Sequence, residues 1–184
     1  MLRLTQKKKP ILYVITSLYR YTKLNQLASS LQLLDSLFAV RWFPIGDTFD
    51  GTDGCSKRNI AMKMIENLDS GWIYNLDDDN KIHPSFPQSL YDGIQTKKSE
   101  VFFFRQLLSN DKFYIEFPEL LRTKIDTGGF VVSTSAAQGI DWNWDDKKCP
   151  DYHWIFRVCQ KGYKPILLDG FTYYNGLNVL ADKS

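Results

Sequence analysis

The chain has 184 residues, 43% of them hydrophobic and 15% aromatic, and a formal net charge of +2. This length supports one domain with a sizeable core, and this composition excludes a disordered chain. The small net charge excludes a broad electrostatic field for nucleic acid, and the lack of any run of 18 apolar residues excludes a membrane span.

Cys55, Cys149 and Cys159 make an odd set with no C-x-x-C and no metal spacing, so unpaired thiols in a reducing compartment are expected. Residues 1–10 read as a flexible basic arm without the apolar stretch of a secretory signal. Its Lys7-Lys8-Lys9 run suits plain solvation or contact with an anionic lipid surface. The expected location is the cytoplasm, with peripheral contact at the inner face of the membrane as its furthest extension.

Residues 11–15 (I-L-Y-V-I) form a continuous β-branched and aromatic run, the pattern of a central strand. It empties into a polar loop, Thr16 to Arg20. Thr22 is a candidate cap for a helix on which Leu24, Leu27, Ala28, Leu31 and Leu34 recur at helical spacing. Residues 39–45 predict a second strand, with Pro44 marking its end or an edge. The acidic, turn-rich stretch 47–54 is a loop. Ser56 is then the expected cap of a second helix, with Ile60, Ala61, Met64, Ile65 and Leu68 as its buried face. Lys57 and Arg58 fall in its first turn, where cations oppose the helix dipole. They indicate an anionic ligand nearby, or two solvated surface charges.

Residues 71–76 predict a short buried strand that runs into Asp77, Asp78 and Asp79. In open α/β sheets ligands bind at that end of the strands. Adjacent carboxylates repel, so a hard divalent cation with oxygen ligands is a natural occupant. The alternative is a solvated acidic turn closed by Asn80. A helix is expected over 84–94, and an antiparallel strand pair over 100–107 and 112–117. Residues 123–133 read as a strand interrupted by Gly128-Gly129, a bulge or a close approach of backbone to ligand. The loop 141–146 carries Trp142 and Trp144 among acids, suited to stacking on a sugar face, with core packing as the alternative. Asp151 opens a final helix that stops at Gly162, as its cap or with a further role. A last strand is expected over 164–168, followed by an aromatic loop over 171–175. Alternating strands and helices, then antiparallel strands, predict one α/β domain with a mixed central sheet flanked by helices.

Taken together, T-S-L-Y-R after the first strand, S-K-R-N-I-A-M, W-I-Y-N-L-D-D-D-N, I-D-T-G-G-F and P-D-Y-H-W-I-F-R-V-C-Q-K-G-Y-K carry a resemblance. In this order they resemble the inverting glycosyltransferases of the GT-A fold, in particular animal glucuronyltransferases and bacterial family-two enzymes. The resemblance implies a Rossmann-like donor half over about 11–80 and a small acceptor half over about 81–175. It implies that Asp79, with Asp77, holds Mn²⁺ or Mg²⁺ on a nucleotide-sugar diphosphate, and that Asp77, Asp78 and Arg58 approach the donor. Thr16, Tyr19, Arg20 and Asp47 would line the nucleoside side. Asp151 would be the general base. Asp126, Gly128 and Gly129 would form the acceptor segment, beside Trp142 and Trp144.

The implied activity is metal-dependent, inverting transfer of a sugar, UDP-linked, to a hydroxyl of a glycan or glycolipid. Phosphate charge needs neutralising and the acceptor hydroxyl needs a base, which these residue types supply. Two departures stand out. The glucuronyltransferases' late His is absent from D-G-F-T-Y-Y-N-G, and only one acid remains at Pro150-Asp151. These features leave a catalytically degenerate carbohydrate-binding or scaffold protein as the alternative. A nucleotidyltransferase ranks behind it, since no Gly-rich basic phosphate loop follows the first strand.

Overall fold

Strand β1 forms over Ile11–Ser17 and is buried at every position, as a residue run apolar on both faces should be. The structure, a computed structural model, describes residues 8–46, 54–96, 98–143 and 149–174. After β1 come a 3-10 turn (Tyr21–Lys23), helix α1 (Leu24–Leu31), strand β2 (Ala39–Ile45), helix α2 (Gly54–Ile65) and strand β3 (Trp72–Asn75). Helix α3 (Phe86–Thr96) leads to the hairpin of β4 (Val101–Leu107) and β5 (Phe113–Ile115). A 3-10 turn (Thr127–Gly129) opens β6 (Phe130–Ser133), followed by α4 (Thr134–Ala137), α5 (Pro150–Gln160) and β7 (Ile166–Tyr173).

All the strands join one mixed sheet. β1 lies between β2 and β3 and is parallel to both, with Val14 opposite Trp42 on one side and Tyr74 on the other. β6 runs antiparallel between β3 and β4. β7 lies parallel along one edge of β4, and β5 takes the other edge where β6 ends. The chain thus leaves β1 for β2 on one side and returns to β3 on the other. The strand order reverses at β1, and the crevice above that reversal is where α/β sheets place ligands.

Alternate residues feed two cores. Leu12, Val14 and Tyr74 pack with Leu27 and Leu31 of α1 and Leu90 of α3. Tyr13, Ile15 and Ile73 pack with Ala61 and Ile65 of α2 and Trp154 of α5. Each such side chain contributes about 1.5–3 kcal/mol on burial, so helices are driven onto both faces. The architecture is the predicted one, a mixed central sheet flanked by helices. Among the described residues no helix is long and apolar enough to cross a membrane.

Several local expectations are corrected. Helix α2 already includes Gly54, so Ser56 is not its cap. Its buried face is Cys55, Lys57, Arg58, Ala61, Met62 and Ile65, while Ile60, Met64 and Leu68 are exposed. Two cations have displaced apolar residues because each finds a partner inside. Thr22 makes no cap either, since α1 begins after Lys23 without a side-chain cap. The last strand is longer than expected: Phe171, Thr172 and Tyr173 pair with Arg105, Gln106 and Leu107 instead of forming a loop. Gly162, at φ +97°, ends α5 as predicted.

Candidate functional site

The three acids leave β3 directly above the reversal point, and each has a separate task. Asp78 is buried, and its Oδ2 accepts the backbone N–H groups of Tyr19 and Arg20, both at 2.6 Å. It ties the loop after β1 to the end of β3. Asp79 Oδ2 lies 2.7 Å from Arg20 Nη1. Asp77 Oδ1 lies 2.8 Å from Arg58 Nη2, which α2 delivers from below. The acidic run is therefore not a solvated turn, although Asn80 does close it by donating its backbone N–H to Asp77 O at 2.9 Å.

The cations of α2 are equally committed. Lys57 is fully buried and donates to Leu18 O at 2.6 Å, with its ammonium 3.7 Å above the Tyr19 ring. Arg58 Nη1 also stands 4.0 Å from Asp151 Oδ1, and its guanidinium lies 4.8 Å over the Trp142 ring. Burial pulls the Arg58 pKa down, but Asp77 and Asp151 outweigh it and hold the group above its usual value. Burial raises the Asp77 pKa, with Arg58 opposing and Asp151 and Asp79 adding to the rise. The Asp79 hydrogen bond raises Arg20.

Asp151 reaches the same place from the far end of the chain. It lies in the first turn of α5, whose cap position is Cys149. Its carboxylate does not cap the helix, for Oδ1 accepts the Thr127 hydroxyl. Asp126, the residue before Thr127, accepts from Gln106 Nε2 at 3.0 Å and from Gly128 N at 3.2 Å. Burial, then Asp151 and Asp77, push the Asp126 carboxyl up to about 7. These groups line one cleft of about 320 Å³, closed by Ser17, Gly54, Cys55, Pro150 and Tyr174. Its wall is polar and carries five aspartates against two arginines, a setting for a bound ligand that brings both phosphate and hydroxyl groups.

The cleft unites Tyr19, Arg20, Arg58, Asp77, Asp78, Asp79, Asp126 and Asp151, all singled out in the sequence. It does not include Thr16, whose buried hydroxyl accepts Trp42 Nε1 at 3.0 Å on the opposite face of β1. The next residue, Ser17, faces the cleft in its place. Gly128 and Gly129 do make a close approach, but to protein: a Cβ on Gly129 would meet Gln106 Oε1 at 3.0 Å. Trp142 is 2% exposed, stacked on Trp154 at 4.7 Å and held by two hydrogen bonds between its backbone and the Asn59 amide. It is core, not a sugar-stacking surface. Asp47 and Trp144 lie outside the described residues.

Sequence reasoning missed Thr127, Gln106 and Tyr174. A polar residue near the end of an otherwise apolar strand was the available signal for Gln106; Tyr174 carried none. His83 does not line the cleft; it packs against Phe171 and Tyr173 with Nδ1 accepting from Ser85 N at 3.1 Å. Among the described residues no three His, Cys, Asp or Glu side chains converge as a ready-made metal cage. Asp77 and Asp79 suit instead an ion that arrives with phosphate oxygens and takes one or two carboxylates from the protein.

No family model matches the chain, and no curated protein matches it by sequence. Solved structures do match in shape. S. aureus TarS, residues 1–349, a glycosyltransferase, superposes with TM-score 0.60 at 12% identity, covering 89% of this chain and 58% of that one. The same protein in complex with UDP gives 0.58 at 12%, covering 89% and 57%. In complex with UDP-GlcNAc it gives 0.56 at 11%, covering 89% and 56%. The chain thus spans a little over half the length of these structures. At such identity the likeness shows the fold alone, a mixed central sheet flanked by helices similar to that of a glycosyltransferase domain.

Proposed function

We propose that the cleft binds a nucleotide-sugar and transfers its sugar to a hydroxyl of a glycan or glycolipid acceptor. The observation that carries this reading is the convergence of Asp151 on the Asp77–Asp79 run. A carboxylate from α5 is turned away from its own helix terminus and into the cleft at the strand reversal. UDP is the proposed nucleotide, because the S. aureus TarS fold has been seen with UDP and UDP-GlcNAc.

In the proposed reaction the acceptor hydroxyl gives its proton to Asp151. The acceptor oxygen forms a bond to the anomeric carbon while that carbon's bond to the diphosphate oxygen breaks, and nucleoside diphosphate leaves. A base acting opposite the leaving group gives inversion. Thr127 orients Asp151 through its hydroxyl, and Arg58 lies between Asp151 and Asp77, where it offsets leaving-group charge. A divalent ion, Mn²⁺ or Mg²⁺, held on the diphosphate by Asp79 with Asp77, would neutralise further phosphate charge. Tyr19 and Arg20 offer a ring face and a guanidinium on the nucleotide side.

The test is calorimetric titration with UDP, GDP and CMP, with and without Mn²⁺, followed by assay of UDP-sugar hydrolysis. The expected result is UDP binding that needs metal and is lost in Asp79→Ala. Absence of nucleotide binding under every condition would overturn the reading. UDP binding without hydrolysis or transfer would favour a degenerate binding protein, which the arginine pairing of Asp77 and Asp79 makes the second reading.

A further inference from the structure

At the Tyr174 side of the cleft two aromatic rings meet. Tyr114 of β5 and Tyr174, just past β7, stack with ring centroids 3.9 Å apart and planes 12° from parallel. Tyr114 is 45% exposed, so its ring is open to solvent although its edge is hydrogen-bonded to Tyr174. Tyr174 lines the cleft with Asp126, Thr127 and Asp151. Burial, then Tyr174 and the field of Asp126, push the Tyr114 hydroxyl up to about 12. Phe113, one residue earlier in β5, turns the other way and packs near Phe171.

We propose that the Tyr114–Tyr174 pair is the acceptor platform, on which a pyranose ring stacks with one hydroxyl directed at Asp151. This rests on the glycosyltransferase reading of the cleft. An exposed ring beside carboxylates suits a sugar, which offers an apolar C–H face to the ring and hydroxyls to the acids. The topology sets this side of the cleft apart from the proposed nucleotide side. The loop after β1, with Tyr19, is on the other side of β3 and β6 in the sheet, and β4 and β5 lie beyond them. The stacking role expected of Trp142 thus falls to tyrosines brought together from two strands.

Saturation-transfer NMR with methyl β-glucoside, methyl β-galactoside, methyl β-N-acetylglucosaminide and methyl α-mannoside, alone and with cellobiose, tests this on the full chain. At least one glycoside should receive saturation on its ring C–H protons. Its affinity should fall about tenfold in Tyr114→Ala, the loss expected of one stacked ring, and survive in Tyr114→Phe. Tyr174→Leu should weaken it as well, with circular dichroism showing each variant folded. Saturation that persists in both Tyr114→Ala and Tyr174→Leu would overturn the platform, as would no saturation of any glycoside. Equal loss of UDP affinity in Tyr114→Ala would overturn it too, by assigning the ring to the nucleotide. Glycoside binding in a protein that binds no UDP would instead sink the transferase reading and leave the platform standing.

Discussion

Arg58 Nη2 lies 2.8 Å from Asp77 Oδ1, with the arginine side chain almost wholly buried. A pair so placed adds little net stability, yet each charge depends on the other. Arg58→Met is therefore expected to destabilise the fold by about 1–3 kcal/mol by leaving Asp77 without its partner. Adding Asp77→Asn should recover part of that loss. Urea unfolding of the single and double variants checks it, and strictly additive losses would show that the two residues are not coupled.

Asp151→Asn keeps the shape of the side chain and its acceptor for Thr127, but removes a basic carboxylate. UDP affinity should hold, while transfer to an acceptor should fall by about 10²–10⁴-fold. Normal turnover in this variant would remove Asp151 from the role of base.

Asp78 and Asp79 adjoin in sequence and should separate in experiment. Asp78→Ala strands two backbone N–H groups and should cost about 3–6 kcal/mol of stability, since hydrogen bonds to a charged acceptor contribute about 1.5–3 kcal/mol each. Asp78→Asn should cost less. Asp79→Ala should be read in metal-dependent nucleotide affinity, where the expected change is complete loss. Loss of UDP affinity in a fully stable Asp78→Ala would reverse the assignment.

Asp126 predicts a pH dependence of stability. Its carboxyl titrates near 7 when folded, raised by burial and by Asp151 and Asp77, against about 3.9 when unfolded. Between these values the folded chain holds a proton that the unfolded chain has lost. Asp126 therefore reduces stability as pH rises from about 4 to about 7. Asp126→Asn should flatten that decline. Unfolding midpoints of both proteins across the window decide it, and parallel curves would contradict the assignment.

Much of this was legible because it follows the backbone. The apolar run of β1, the acids after β3 and the helix behind Asp151 are local patterns, and local patterns fix elements. The errors arose where partners come from elsewhere. Periodicity put Met64 inside and left Lys57 to an anionic ligand or to solvent, because it weighs apolar residues and is blind to a cation whose partner is the Leu18 carbonyl. Thr16 and Ser17 differ by one residue, and in a strand one residue exchanges the two faces. Trp142 carried the composition of a binding loop, but the Asn59 amide draws its backbone inward. Tyr114 and Tyr174 meet only because β5 and β7 flank the same strand, a fact of topology that no window of sequence contains.

The cleft is closed by contacts between remote parts of the chain. Asp78 reaches Tyr19 across 59 positions, and Asn59 reaches Trp142 across 83. Such closures are entropically slow and form only after the sheet has brought their ends together. The order of folding follows: the β1–β3 layer can collapse early on its own apolar runs, whereas the constellation of Arg58, Asp77 and Asp151 must wait for α5 to dock. Refolding should therefore recover far-ultraviolet signal before it recovers ligand binding, and the interval between the two measures the time this protein spends shaped but inert.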